Sequence, residues 1–164
     1  MVNWYFAYGS NMNPARARAR GLPIAEIRAA RLSDFRLVFN KRAHGKCGVA
    51  YANIAHAPGE CAEGVAYALE DPAAIAVMDP FEGAPVRYSR EVFRLETDAG
   101  PVAAWVYVAN RAWIESGLLP ERPYLEHLLA GADYLSPGYR SRIAAHPCLE
   151  VALPGHVQGL LHNG

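Results

Sequence analysis

The stretches of this chain with strand character lie too close together for a doubly wound parallel sheet. Tyr88 to Glu96 and Val102 to Ala109 alternate on either side of Asp98-Ala99-Gly100, the pattern of a hairpin. Gly48 to Ile54 and Glu63 to Leu69 flank His56-Ala57-Pro58-Gly59, a turn signal that predicts a second hairpin. Trp4 to Tyr8 is a short aromatic-rich strand stopped by Gly9, and Leu32, Phe35, Leu37 and Phe39 mark another with an irregularity near Asp34. Parallel neighbours need crossovers of a dozen or more residues, which these connections do not supply. The pattern therefore predicts an α+β fold: a small mixed β-barrel of about six strands with peripheral helices.

The helices announce themselves by their caps. Asn13 before Pro14 is a cap followed by proline at the first helical position, and Gly21 is the matching stop. Asp71-Pro72 repeats the device and opens a short helix through about Met78, followed by a loop over residues 79–85. Tyr124, Leu125, Leu128 and Leu129 have helical spacing after Pro123, and Ser136-Pro137 starts a last helix that Pro147 should end. With 164 residues, the chain is read as one domain over 1–164. The tail from about residue 148 is rich in Gly, Pro and His and is expected to be the least ordered part, contributing at most an edge strand.

Sixteen Lys and Arg balance sixteen Asp and Glu. That argues against nucleic acid or an anionic membrane as the main partner, because both reward excess positive charge. Cys47, Cys61 and Cys148 are odd in number and far apart, so a reducing, cytoplasmic location is expected. The N-terminus lacks a basic leader pattern, and no run of about 18 apolar residues occurs.

Two segments could carry chemistry. In Tyr8-Gly9-Ser10-Asn11-Met12, Gly9 lets the main chain turn sharply and approach a ligand. Its successive N–H groups would suit a carboxylate or a developing oxyanion. The alternative is an ordinary strand-to-helix turn with local bonds from Ser10 or Asn11. Glu82, between Phe81 and Gly83, could sit partly desolvated in a cleft, which would raise its pKa toward that of a general base. The alternative is a solvated loop glutamate. Tyr88 and Tyr124 are candidates for ligand hydrogen bonds or for half-buried packing.

Other groupings are weaker. Arg16, Arg18 and Arg20 are two apart, so their charges splay around a helix and read as a solvated face. The pairs His44/Cys47 and His56/Cys61 lack a tight C-x-x-C spacing, so no metal is expected. Ser10 has no G-x-S-x-G elbow, and no Walker loop or G-x-G-x-x-G occurs, so neither a serine hydrolase nor a nucleotide cofactor is indicated.

Taken together and in order, these segments resemble the γ-glutamylcyclotransferase (AIG2-like) family. Tyr5 to Met12 is similar to its N-terminal signature, and Met78-Asp79-Pro80-Phe81-Glu82-Gly83 followed by Tyr88-x-Arg90 to its Glu-Gly segment. Arg31 to Phe39 resembles its second strand. Gly48-Val49-Ala50 with Asn53-Ile54, and Gly64-Val65-Ala66-Tyr67, resemble its central hairpin. Tyr124 in Pro123-Tyr124-Leu125 is similar to its ligand-facing tyrosine. The likeness spans roughly residues 4 to 145.

The resemblance implies a mixed barrel that cyclises a γ-glutamyl group to 5-oxoproline, releasing an amino acid or amine without cofactor. Glu82 would be the acid–base group. Tyr8, Gly9, Ser10, Asn11 and Met12, with Tyr88 and Tyr124, would bind the substrate. A homodimer is compatible with the resemblance, although no sequence feature marks an interface. Relatives acting on γ-glutamylamines or on γ-glutamylated biosynthetic intermediates share the Glu-Gly segment, so the leaving group stays open. Asn11 departs from the glutathione-specific branch, which favours an apolar residue there. Two other readings remain at this stage: a non-catalytic module that binds a small carboxylate, and a hydrolase using Ser10.

Overall fold

In a computed structural model, described here over residues 1–150, five strands close into a barrel. They are β1 (Trp4–Ala7), β2 (Ile24–Arg42), β3 (Ala50–Leu69), β4 (Tyr88–Thr97) and β5 (Val102–Ala109), in the spatial order β1-β3-β2-β4-β5. All neighbours are antiparallel except β1 and β5, whose parallel pairing (Trp4 opposite Ala104, Tyr5 opposite Trp105) closes the ring.

The expected six strands become five because the second hairpin does not exist. His56-Ala57-Pro58-Gly59 lies inside β3, which pairs with β2 on both sides of it. The pairing jumps from Ser33–Cys61 to Phe35–His56, so the extra residues of β3 bulge out opposite Asp34. Asp34 has a positive φ of 62°, and its Oδ1 accepts the Gly59 N–H at 2.9 Å. The turn chemistry is real, but it bends a long strand instead of ending it. That bend lets strands of 19 and 20 residues wrap a small barrel. The β4–β5 hairpin and the irregularity at Asp34 agree with expectation.

Helix starts follow their caps. Asn13 accepts from the Ala15 and Arg16 N–H groups at the head of α1 (Pro14–Ala19). Asp71 accepts from Ala73 to open a 3-10 turn over Pro72–Met78, and Ser136 accepts from Tyr139 to open α4 (Pro137–Ala144). The segment expected as a loop after Met78 begins with one helical turn, α2 (Asp79–Glu82). Helix α3 (Arg122–Leu129) packs on the 3-10 turn Ser10–Met12, and α4 packs on α3.

The core fills the barrel with Phe6, Val65, Tyr67, Leu95 and Val106, and continues under α3 through Met12, Leu125 and Leu128, all fully buried. Each such side chain contributes about 1.5–3 kcal/mol by leaving water. The expected edge strand in the tail is represented among the described residues by one bridge, Glu121 to Leu149. The remainder of that expectation lies outside them. No helix among the described residues is long and apolar enough to cross a membrane.

Candidate active site

Two segments 71 positions apart meet at one end of the barrel. Glu82 is the last residue of α2, and Gly83 ends that helix in the left-handed region at φ 66°. Only glycine takes this conformation at little cost, so Gly83 fixes where Glu82 points. Asp79, at the other end of α2, accepts from the Tyr107 hydroxyl at 2.7 Å and pairs with Arg90 at 3.2 Å. Arg90 and Tyr107 thus anchor the short helix to β4 and β5.

Asn11 organises the opposite wall. Its Nδ2 donates to Glu82 Oε1 at 3.0 Å and to the Tyr5 hydroxyl at 2.9 Å. Its Oδ1 accepts from Arg20 Nη1 at 2.8 Å, which fixes the amide orientation. Its carbonyl accepts from Tyr67 at 2.6 Å. Arg20 Nη1 lies 3.9 Å from Glu82 Oε1, and the Glu82 side chain is only 17% exposed. Burial pushes the Glu82 carboxyl above the usual carboxylate range. Arg20, Lys41, the Asn11 bond and Arg16 each oppose that rise without cancelling it.

Tyr88 and Tyr124 grip Ala52 from both sides. Tyr88 donates to the Ala52 carbonyl at 2.7 Å, and the Ala52 N–H donates to the Tyr124 hydroxyl at 3.0 Å. Tyr124 therefore accepts and keeps its own proton free to donate inward, and burial holds its pKa well above the ordinary phenol value. Tyr8 donates to the Tyr107 carbonyl. Gly9 leaves room for this arrangement, since a Cβ there would come within 3.0 Å of the Tyr124 hydroxyl and 3.1 Å of Ala52 Cβ.

Between these walls is a small cavity of about 30 Å3, lined by Tyr5, Tyr8, Gly9 to Asn11, Glu82 and four more aromatic residues. On a scale where one water needs about 10–15 Å3, it admits two or three water-sized groups. Ser10, Glu82, Tyr88 and Tyr124 also line a wider vestibule of about 300 Å3 that opens from it. The N–H groups of Gly9 and Asn11 donate to no backbone carbonyl among the described residues. A partly desolvated carboxyl thus stands near main-chain N–H groups that bond no backbone carbonyl among the described residues.

Of the residues singled out in the sequence, Tyr8, Gly9, Ser10, Asn11, Glu82, Tyr88 and Tyr124 line the cavity, whereas the Met12 side chain is fully buried outside it. Ser10 makes no bond to a histidine among the described residues; His127 instead contacts Asn13 and Arg16. No trio of His, Cys, Asp or Glu side chains there is grouped as a metal site.

Sequence reasoning missed Tyr5, Tyr107, Lys41 and Arg87, and it misread the arginines of α1. Arg16 and Arg20 are four apart, share a face and both line the vestibule, while Arg18 is exposed. Comparing i with i+4 instead of i+2 would have found that pair.

Comparison with known proteins agrees with this architecture. Uncharacterized protein loc79017 from Homo sapiens superposes with a TM-score of 0.78 at 23% identity, covering 91% of this chain and 90% of that one. A structure described as gamma-glutamyl cyclotransferase superposes at 0.76 with 24% identity, covering 89% and 88%. A glutathione-specific yeast cyclotransferase superposes at 0.60 with 12% identity, covering 85% and 93%. These likenesses speak for the fold. No curated protein matches by sequence search. The family profile described as gamma-glutamyl cyclotransferase, AIG2-like, matches residues 5–135. The profile spans both the Tyr-Gly-Ser-Asn turn and the Glu-Gly turn, and the chain belongs to the gamma-glutamyl cyclotransferase, AIG2-like family.

Proposed function

We propose that this protein cyclises the γ-glutamyl group of a small substrate to 5-oxoproline, with Glu82 as the single acid–base group. The reading is carried by one observation: a mostly buried carboxyl, raised in pKa, faces the Gly9–Asn11 turn across a cavity sized for the reacting atoms.

In this reading the substrate α-nitrogen bonds to the γ-carbonyl carbon and gives its proton to Glu82. Free α-amines titrate near 7.7–8.0, so one nearby carboxylate suffices to take it. The oxyanion accepts from the main-chain N–H groups at Gly9 and Asn11 and from the Tyr124 hydroxyl. The bond from the γ-carbon to the leaving nitrogen then breaks, and Glu82 returns the proton to that nitrogen. One proton moves on and off one group, and no oxidant, metal or cofactor enters the balance. Ring closure is intramolecular, so positioning in the narrow cavity supplies part of the roughly 7–11 kcal/mol available from orientation.

The test is release of 5-oxoproline from a panel of γ-glutamyl amino acids, γ-glutamylamines and larger γ-glutamyl compounds. Glu82→Gln should fold and lose roughly 10²-fold or more in rate. Undiminished turnover by that variant would remove Glu82 from the reaction.

A further inference from the structure

The vestibule outside Glu82 concentrates positive charge in a chain whose formal charges cancel. Arg16, Arg20, Lys41 and Arg87 line it, and among the described residues Glu82 is the one acidic side chain in the lining. Like charges in a walled cleft focus the field on an incoming ion of opposite sign.

Three of these cations form no salt bridge among the described residues. Arg20 is engaged with Asn11 and Glu82. Among the described residues the Arg16 side chain reaches His127 alone, and its Nε is buried without a hydrogen-bond partner there. Arg87 forms no salt bridge among the described residues; its guanidinium lies 5.3 Å from the centre of the Trp113 ring.

Lys41 is the most telling. It is 3% exposed, has no hydrogen bond or ion pair among the described residues, and lies in a cage of Tyr51, Tyr88 and Trp113, whose ring centres are 5.1, 5.4 and 5.3 Å from Nζ. Aromatic faces recover only part of what a buried ammonium loses on leaving water. The fold therefore holds a largely shielded cation at the vestibule wall, with no ion-pair partner within salt-bridge distance among the described residues.

The route of the substrate says what that partner is. The inner cavity takes only the reacting atoms, and its mouth, between Ser10, Glu82, Tyr88 and Tyr124, leads into the vestibule. The leaving nitrogen must stay within reach of Glu82, so everything attached to it extends outward among the cations. One α-carboxylate from the glutamyl part cannot neutralise three of them.

Resting on the cyclotransferase reading above, we propose that Lys41 and Arg87, with Arg16, form an anion site that selects substrates whose leaving portion is itself acidic, as a dicarboxylic amino acid is. A γ-glutamyl diacid offers three carboxylates to three cations that form no salt bridge among the described residues. A cationic leaving portion meets repulsion at the same place.

The experiment compares γ-glutamylglutamate with γ-glutamylglutamine, which match in shape and differ by one charge. At pH 7 the acid should be preferred at least tenfold in kcat/KM. Lys41→Met should bring the ratio within about threefold, and Lys41→Arg should retain most of it. Arg87→Gln, at a half-exposed position, should also lower the ratio, which keeps the test open if Lys41→Met does not fold. Equal use of both compounds by the wild-type protein overturns the proposal. So does an equal fall for both substrates in Lys41→Met and Arg87→Gln, which would assign the cations to the glutamyl α-carboxylate. If neither compound yields 5-oxoproline, the wider γ-glutamyl panel decides the catalytic reading separately. Calorimetric titration of both compounds into the wild-type protein then decides the anion site: tenfold tighter binding of the acid supports it, and equal or undetectable binding overturns it.

Discussion

Asn11 Nδ2 lies 3.0 Å from Glu82 Oε1, joining the turn after β1 to the end of α2 across 71 positions of sequence. The same amide holds Tyr5 and is held by Arg20, so all its polar capacity on this side is engaged. Asn11→Leu would leave the buried Tyr5 hydroxyl and the Glu82 carboxylate each short of a donor, a loss of about 1–3 kcal/mol. Because the Asn11 bond lowers the Glu82 pKa, its removal should also move the acidic limb of the pH–rate profile upward. Denaturant titration and a kcat/KM profile check the two effects separately. An unmoved limb would mean that this bond does not tune the carboxyl.

Glu82 itself should weaken the fold at neutral pH. Burial raises its native pKa above the 4.5 of an unconstrained glutamate. Between 4.5 and the native value, the unfolded chain has released the proton that the native state still holds. Stability therefore falls as pH rises through that window. Below it both states are protonated and the group is neutral in the balance. Glu82→Gln removes this titration, so its melting temperature relative to wild type should climb from pH 4 upward and then level off. A difference that stays flat with pH would show that the carboxyl is not desolvated.

What could be read in the sequence, and what could not, divides by distance along the chain. The caps Asn13-Pro14, Asp71-Pro72 and Ser136-Pro137 were readable because a side chain two or three residues away satisfies the helix end. The turn signal at His56 to Gly59 misled because β2, not the local segment, decides whether the strand continues, and Asp34 supplies the bond that makes a bulge out of a turn. Glu82 and the Gly9 turn could be singled out by residue type. Their meeting, the clamp on Ala52, and the cage of Tyr51, Tyr88 and Trp113 around Lys41 combine segments that only barrel closure brings together.

Gly9 and Tyr124 should behave as a coupled pair. Gly9 has a φ of −115°, which other residues adopt, so the cost of Gly9→Ala is steric. The new methyl would press on the Tyr124 hydroxyl at 3.0 Å and on Ala52 at 3.1 Å, a crowding worth about 1–3 kcal/mol. Tyr124→Phe removes the hydroxyl but leaves the Ala52 N–H without its acceptor. In the double variant the methyl occupies part of the vacated space, so the combined loss should be smaller than the sum of the two. A double-mutant cycle by denaturant unfolding measures this. Strict additivity would place the crowding wholly on Ala52.

The acid preference assigned to Lys41 should fade with rising pH. Burial pushes the Lys41 ammonium down to about 8; Arg87 and Arg42 push in the same direction and Glu82 pushes back. The rings of Tyr51, Tyr88 and Trp113 face it as well. At pH 7 most of the free protein carries the charged form, and at pH 9 roughly a tenth does. Because kcat/KM reports the free enzyme, the preference for γ-glutamylglutamate over γ-glutamylglutamine should decline between those values, while Lys41→Arg holds it. The same shift has a consequence for folding. A depressed lysine costs stability at every pH below about 8, and that cost is relieved as pH rises toward the 10.5 of an unconstrained lysine. Lys41→Met should therefore melt higher than wild type at pH 7, with the advantage shrinking by pH 10. An acid preference that persists unchanged to pH 9 in the wild-type protein would take Lys41 out of substrate selection and leave Arg16 and Arg87 to account for it.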